Sequence, residues 1–215
     1  RLGTINLHAS LLPDYRGAAP INWAIINGEK NTGVSTFFIN ENIDTGDIID
    51  QRSIKIDILD SFGDLYHKLK KIGADLVLDS VNNIIENKIN LKPQINTSNL
   101  NSANKLNKEN CKIEWTMKAS KVYNMIRGLS PYPGAHCFLV HKKETLKIII
   151  YSSKIEIETH QLNNGQIIIE KKQIKIATTD GFIIPQEIKV QGKKRMSVSD
   201  LMNGFKFETL ILFLP

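Results

Sequence analysis

The 215 residues fall into two stretches with different patterns of apolar and polar positions. In the first stretch, residues 1–7, ending in Thr4-Ile5-Asn6-Leu7, predict a short buried strand. Pro20 suits the first turn of a helix and Gly28 its end, so a helix is expected over Ala19–Asn27. Val34–Ile39 is β-branched and aromatic and predicts a second buried strand, and Ile48–Ile56 a third. Asp60 or Ser61 is placed to cap a long helix. Along it Phe62, Leu65, Tyr66, Leu69, Ile72, Leu76, Val77, Val81, Ile84 and Ile85 recur at i, i+3 and i+4 spacing and form one apolar face.

From Asn90 to Asn110 the periodicity stops. Asn, Ser, Lys and Gln dominate there, and Pro93 stands near the start, which predicts a linker. The second stretch opens with a short strand ending at Trp115. Ala119, Val122, Tyr123 and Ile126 then mark an amphipathic helix, ended by Pro131 and Pro133. Five strand-like runs follow at Ala135–Val140, Leu146–Ile157, Gly165–Glu170, Gln173–Thr178 and Phe182–Val190. Turn residues at Gly165, Asp180-Gly181 and Gly192 separate them, as in a small barrel or sandwich. Ser197 is placed to cap a last short helix, with Asp200 at the capping-box position. The expected organisation is an α/β domain over 1–89, a linker over 90–110 and an all-β domain over 111–215.

Composition narrows this a little. Hydrophobic residues make up 41% and charged residues 23%, ordinary values for a water-soluble fold. No apolar run is long enough to span a bilayer, and the first residues lack the apolar segment of a signal peptide. The net charge of +6 permits a polyanionic partner without requiring one. Cys111 and Cys137 fit no Cys-x-x-Cys pattern, and no Cys/His cluster has zinc spacing, so reduced, structural thiols are expected, as in a cytosolic protein.

The candidate chemistry lies in two polar stretches that each follow a strand. Asn6 and His8 stand at the end of the first strand, where open α/β sheets place ligands. Residues two apart on a strand share a side, so both can face one pocket. Asn40-Glu41-Asn42-Ile43-Asp44-Thr45-Gly46-Asp47 follows the second strand. If the two loops meet, they bring together a carboxamide, an imidazole and a carboxylate. Each residue also has a plainer reading: Asn6 as a turn residue bonded to its own backbone, His8 as a loop histidine satisfied by a carbonyl, Asp44 as a turn aspartate with Asp47 as its rival.

These residues carry a family resemblance. Asn6-x-His8-x-Ser10-Leu11-Leu12-Pro13, Tyr15-Arg16-Gly17-Ala18-Ala19-Pro20-Ile21, Thr32-Gly33-Val34 and Asp44-Thr45-Gly46-Asp47 resemble the folate-dependent formyltransferases. Within that family they are most similar to the branch that formylates initiator methionyl-tRNA. Lys112-Ile113-Glu114-Trp115, Ile126-Arg127-Gly128-Leu129-Ser130-Pro131-Tyr132-Pro133-Gly134 and Gln191-Gly192-Lys193-Lys194-Arg195-Met196 resemble that branch's carboxyl-terminal domain. The resemblance implies the second half of a Rossmann-like formyltransferase domain followed by an OB-like barrel. It also implies 10-formyltetrahydrofolate as formyl donor, initiator methionyl-tRNA as partner, no metal and a cytoplasmic location; a monomer is expected. The family has about half a Rossmann-like domain upstream of Asn-x-His, so the chain is expected to be a fragment.

Formyl transfer to an amine needs an oxyanion donor, a group that moves protons and something to orient that group. By resemblance these roles fall to Asn6, His8 and Asp44. Ser10, Leu11, Leu12 and Pro13 resemble the segment lining the folate site, although the same residues suit a plain loop with two core leucines. Arg16 suits either an anion or an ion pair with Asp14. Lys193, Lys194 and Arg195 form a basic turn, and Lys105 and Lys108 lie in the linker. These are candidate tRNA phosphate contacts or simply solvated surface. Rival readings are a formyltransferase acting on glycinamide ribonucleotide or an amino-sugar nucleotide, and an inactive fragment with a nucleic-acid-binding barrel.

Overall fold

The computed structural model describes residues 3–95, 99–141, 144–170, 173–204 and 213–214. Arg1 and Leu2 of the first predicted strand and residues 96–98 of the predicted linker lie outside the described residues. The chain falls into two compact units divided between Leu106 and Asn107.

The first unit runs β1 (Ile5–His8), β2 (Arg16–Gly17), α1 (Pro20–Asn27), β3 (Asn31–Phe38), β4 (Ile48–Lys55), α2 (Phe62–Ile85) and β5 (Ser102–Ala103). The order in its main sheet is β1-β3-β4, and both pairings are antiparallel. β3 starts three residues before its apolar run, because Asn31, Thr32 and Gly33 pair with Lys55, Ile54 and Ser53 of β4. Main-chain pairing sets that boundary, and hydrophobicity does not report it. Helix α1 has Pro20 in its first turn and ends at Gly28 in the left-handed region, as its punctuation predicts.

Ser61 caps α2, and the alternative cap Asp60 does not. The Ser61 hydroxyl accepts from Asp64 N–H, and the Asp64 carboxylate accepts from Ser61 N–H at 3.0 Å. Ile21, Ala24 and Ile25 of α1, Val34 of β3, Ile56, and Leu65, Leu69 and Leu76 of α2 make the core. The predicted apolar face of α2 is only partly used. Tyr66, Val81 and Ile85 are exposed, while Gly73 and Ser80, which no hydrophobic count would select, are buried.

Strand β1 corrects an expectation. It is not a buried strand: Asn6 is exposed and Leu7 is 37% exposed. Among the described residues β1 is paired on one edge only, through β3. Its two faces differ. Leu7 lies against Gly73 of α2, and its cross-strand partner Thr36 meets the Ser80 hydroxyl at 2.7 Å. Asn6 and His8 therefore face the other side, with their partners Phe37 and Ser35.

The loop after β1 is laid over that other side. Ser35 donates its hydroxyl proton to Ser10 O at 2.6 Å. It accepts from Leu12 N–H at 3.0 Å and from Gln51 Nε2 at 2.7 Å. Gln51 also donates to Leu12 O at 2.9 Å. Leu12 then packs on Phe37 and Ile48 in a small separate cluster. The segment after α2 does not hang free. Lys92 and Ile48 exchange two backbone hydrogen bonds, Asn101 N–H donates to Asp14 Oδ1, and β5 pairs in parallel with β2. The first part of the predicted linker is thus stitched to the first unit through polar groups, and an apolar pattern cannot show this.

The second unit contains α3 (Ala119–Gly128), β6 (Ala135–His141), β7 (Glu144–Ile157), β8 (Ile167–Glu170), β9 (Gln173–Ala177), β10 (Gly181–Val190), β11 (Met196–Ser197), α4 (Val198–Gly204) and β12 (Phe213–Leu214). The path through its sheet is β12-β6-β7-β10-β9-β8, with β11 beside β10. The predicted strand ending at Trp115 is absent: only an isolated bridge from Lys112 to His136 forms there. Trp115 is instead a buried core residue. Pro185 sits inside β10 where the pairing with β7 slips register, the kind of place a strand tolerates a residue without N–H. Ala119 N–H at the start of α3 donates to Asp180 Oδ1 at 2.7 Å, so that helix is capped from the turn before β10. At α4 the expected pair is in contact with one leg of the box formed: Asp200 N–H donates to Ser197 Oγ at 3.0 Å, and the Ser197 hydroxyl donates to Asp200 Oδ2 at 2.8 Å.

Two stability outcomes follow. Ser35→Ala leaves Leu12 N–H and Ser10 O without their partner and should cost about 1–3 kcal/mol in urea unfolding. Ser61→Ala should cost about 1 kcal/mol at pH 7. Hydrogen bonds from Ser61 hold the Asp64 carboxyl below the usual carboxylate range. The carboxylate's contribution is therefore complete above the unfolded value of about 3.9 and is lost as pH falls through the lower folded value. The gap between Ser61→Ala and wild type should shrink over that acid range.

Candidate active site

The two polar stretches do meet, over the Asn6/His8 side of β1. His8 is 6% exposed. Its Nε2 lies 2.8 Å from Tyr15 O. A carbonyl has no proton to give, so this hydrogen bond requires the proton on Nε2. On the other side of the ring, Nδ1 lies 3.5 Å from Asp44 Oδ2. That oxygen also accepts from Gly17 N–H at 3.0 Å. The His8 and Asp44 side chains are 7% and 14% exposed, so their interaction is little screened by water. Asp47, the rival carboxylate, is exposed, and its contribution is a main-chain carbonyl that accepts from Phe38 N–H.

Unusual backbone makes this arrangement. Tyr15 has φ of 58° and Asp44 φ of 53°, both left-handed. Aspartate visits that region readily, whereas a bulky aromatic residue needs support from its surroundings. Tyr15 has that support. Its N–H donates to Asn101 O at 2.8 Å, its hydroxyl donates to Glu29 Oε1 at 2.7 Å, and it accepts from Asn27 Nδ2 at 3.0 Å. Burial, helped by Glu29, pushes the phenol pKa up, so the ring stays a neutral donor. Gly17 has φ of 123° and lies against the Ala103 carbonyl, so only glycine fits where the N–H must reach Asp44.

The other predicted site residues are placed as follows. Asn6 holds an exposed carboxamide on the same side as His8. Ser10 is buried, with its hydroxyl donating to Asp14 O at 2.6 Å, and Leu12 is buried beside Phe37, so both serve the loop internally. Leu11 and Pro13 are half-buried. Arg16 turns to a partner the sequence did not offer: its Nε and Nη2 donate to Gln94 Oε1 at 2.9 and 2.7 Å. Lys105, Lys108, Lys193 and Lys194 are exposed. Arg195 is already engaged, with a two-pronged ion pair to Glu187 at 2.6 Å and its guanidinium 4.1 Å from the Tyr151 ring centre. Ser35, Gln51, Tyr15 and Gln94 carry the geometry and were not singled out as site residues. Tyr15 stands in the motif run that opens Tyr15-Arg16-Gly17, and Ser35 is a polar residue inside an apolar strand. Among the described residues no group of three or more His, Cys, Asp or Glu side chains could hold a metal ion, and no helix is long and apolar enough to cross a membrane.

Comparison with known proteins adds to this geometry. Residues 1–81 match the family model described as "Formyl transferase", and residues 105–206 match "Formyl transferase, C-terminal domain". The methionyl-tRNA formyltransferase of Flavobacterium johnsoniae is 50% identical over 206 residues, covering 96% of this chain and 65% of that protein. That of Bacteroides thetaiotaomicron is 44% identical, covering 96% and 66%. The chain thus spans about two thirds of the length of these relatives. An N-formyltransferase from Helicobacter canadensis, solved with folinic acid and dTDP-3-aminofucose, superposes with TM-score 0.66 at 28% identity, covering 84% of this chain and 64% of that one. HypX from Aquifex aeolicus, solved with tetrahydrofolic acid, has TM-score 0.67 at 18% identity over 93% of this chain and 34% of its own, and shares the fold. With both domain models matched in order and a relative identical at half its aligned positions, the chain belongs to the formyl transferase family.

Proposed function

We propose that the protein transfers the formyl group of 10-formyltetrahydrofolate to the α-amino group of initiator methionyl-tRNA. The observation that carries this reading is the His8 ring held between Tyr15 O and Asp44 Oδ2 with the Asn6 carboxamide open on the same side. The amine attacks the formyl carbon, and a C–N bond forms as the carbonyl oxygen takes negative charge. The Asn6 NH2 group donates to that oxygen without carrying charge of its own. His8 Nδ1 takes up the proton lost by the amine, directly or through water. The ring then has two N–H groups, and each faces an oxygen, Tyr15 O and Asp44 Oδ2. The tetrahedral centre collapses by breaking its bond to the folate nitrogen, which takes the proton held at His8 Nδ1, directly or through water, and the ring returns to its starting state.

Leu11, Pro13 and the main chain of the Ser10–Pro13 stretch line the folate site in this reading, with Ser10 and Leu12 holding the stretch in shape. The first unit is the second half of a Rossmann-like domain. The second is an OB-like barrel, a reading supported by the antiparallel order β12-β6-β7-β10-β9-β8 around buried Leu139, Ile148, Ile150, Ile188 and Val190. We place the domain boundary between Leu106 and Asn107, where the two compact units divide, and the working form as a cytoplasmic monomer. Lys105, Lys108, Lys193 and Lys194 contact tRNA phosphates, while Arg195 braces the turn through Glu187 and Tyr151. The choice of acceptor rests on relatives at 50% and 44% identity. An amino-sugar nucleotide is the second reading, favoured by the Helicobacter canadensis likeness at 28%.

In the complete protein, His8→Ala should lower kcat about 100-fold or more with folding intact; near-normal turnover removes His8 from the chemistry. Offering methionyl-tRNA and an amino-sugar nucleotide side by side decides the acceptor. Lys193→Glu with Lys194→Glu should weaken tRNA binding and flatten its log–log salt slope by about 1–2, whereas an unchanged slope makes the turn solvated surface. Residues 107–215 expressed alone should give a cooperative thermal transition; a disordered spectrum refutes the boundary.

A further inference from the structure

We propose that Gln94 is the positioning residue for the His8–Asp44 pair, locking the Asp44 loop against the loop that follows β1. This rests on the reading of Asp44 as part of the proton-moving pair. The Gln94 carboxamide uses both of its ends. Nε2 donates to Asp44 O at 2.9 Å and to Gly46 O at 2.8 Å. Oε1 accepts from Arg16 Nε at 2.9 Å and Nη2 at 2.7 Å. Two donors and two acceptor positions are thereby filled, the whole capacity of the group.

The four bonds join three separated segments. Arg16 precedes Gly17, whose N–H holds the Asp44 carboxylate. Gln94 holds the carbonyl of Asp44 itself, a residue in the left-handed region. Asp44 is thus fixed at both its main chain and its side chain, and both ties lead back to residues 16 and 17. Gly46 has a second constraint, because a Cβ there would overlap the Phe38 carbonyl. Gln94 is delivered by the paired backbone bonds between Lys92 and Ile48 two residues earlier. No other side chain meets these demands. Glutamate would set a carboxylate against two carbonyl oxygens, asparagine is one carbon shorter, and lysine cannot accept from Arg16. The residue also lies between the two spans matched by the family models, 1–81 and 105–206.

The test uses the complete protein with Gln94→Glu, and Gln94→Met in case the charged variant does not fold. Hydrogen exchange at the Gly17 amide reports whether Asp44 is in place, independently of activity. Exchange there should accelerate about tenfold or more in both variants. In formyl transfer to methionyl-tRNA, kcat should fall by about 30-fold with KM values within about threefold. Adding Gln94→Met to Asp44→Asn should cause little further loss of kcat, because the two changes remove the same function. Unchanged Gly17 exchange overturns the proposal whatever the activity. A full, additive loss of kcat in the Asp44→Asn background also overturns it, since the effect would not then run through Asp44. If the wild type formylates no methionyl-tRNA while Gly17 exchange still responds to Gln94→Glu, the assigned reaction fails and the positioning role stands.

Discussion

The hydroxyl of Ser35 gives one hydrogen bond and takes two, and the loop that carries the site rests on it. Its partners are Ser10 O, Leu12 N–H and Gln51 Nε2, and Ser35 itself is fully buried. A loop laid over a sheet face hides main-chain groups that have no strand to pair with, and each must find a partner or pay a desolvation cost. Ser35 and Gln51 supply those partners from the sheet. Once Leu12 is seated beside Phe37 and Ile48, the path to Tyr15 is short, and the Tyr15 carbonyl arrives over His8.

From there the site is a chain of polar dependencies and not a hydrophobic one. His8 depends on the left-handed backbone of Tyr15, which depends on Glu29, Asn27 and Asn101. Asp44 depends on Gly17 and Gln94. Asn6 depends only on strand alternation, and it alone of the three is open to solvent. A buried imidazole beside a buried carboxylate is sensitive to small displacements, because at low local dielectric their interaction changes steeply with distance. This accounts for the number of bonds that fix the loops and the few that touch the pair itself.

Patterns local in the chain were legible. The long periodic run became α2, Pro20 and Gly28 bounded α1, and Ser197 with Asp200 capped α4. Each of these signals acts over one turn or one helix face. Errors arose where a local pattern met a distant partner. The run ending at Trp115 looked like a strand, but only Lys112 finds a bridge. Other distant partners lay outside any local pattern: Arg195 of the basic turn meets Glu187 and Tyr151, and Asp180, in the turn where the sequence places it, also caps a helix 61 residues earlier.

The sequence by itself determined the order of the main elements, the bounds of α1 at Pro20 and Gly28, and, through motif resemblance, the family, with Asn6, His8 and Asp44 as its candidate residues. Only the tertiary structure decided that Asp44 and not Asp47 stands beside His8, that His8 Nε2 faces the Tyr15 carbonyl, that Ser10 and Leu12 turn inward, and that a glutamine beyond α2 bridges Arg16 to the Asp44 main chain. Periodicity records how a segment meets water, and caps record the needs of a few neighbouring amides. Hydrogen bonds between residues 25, 27, 50 or 78 positions apart leave no periodic trace, because their partners become neighbours only after the chain has folded.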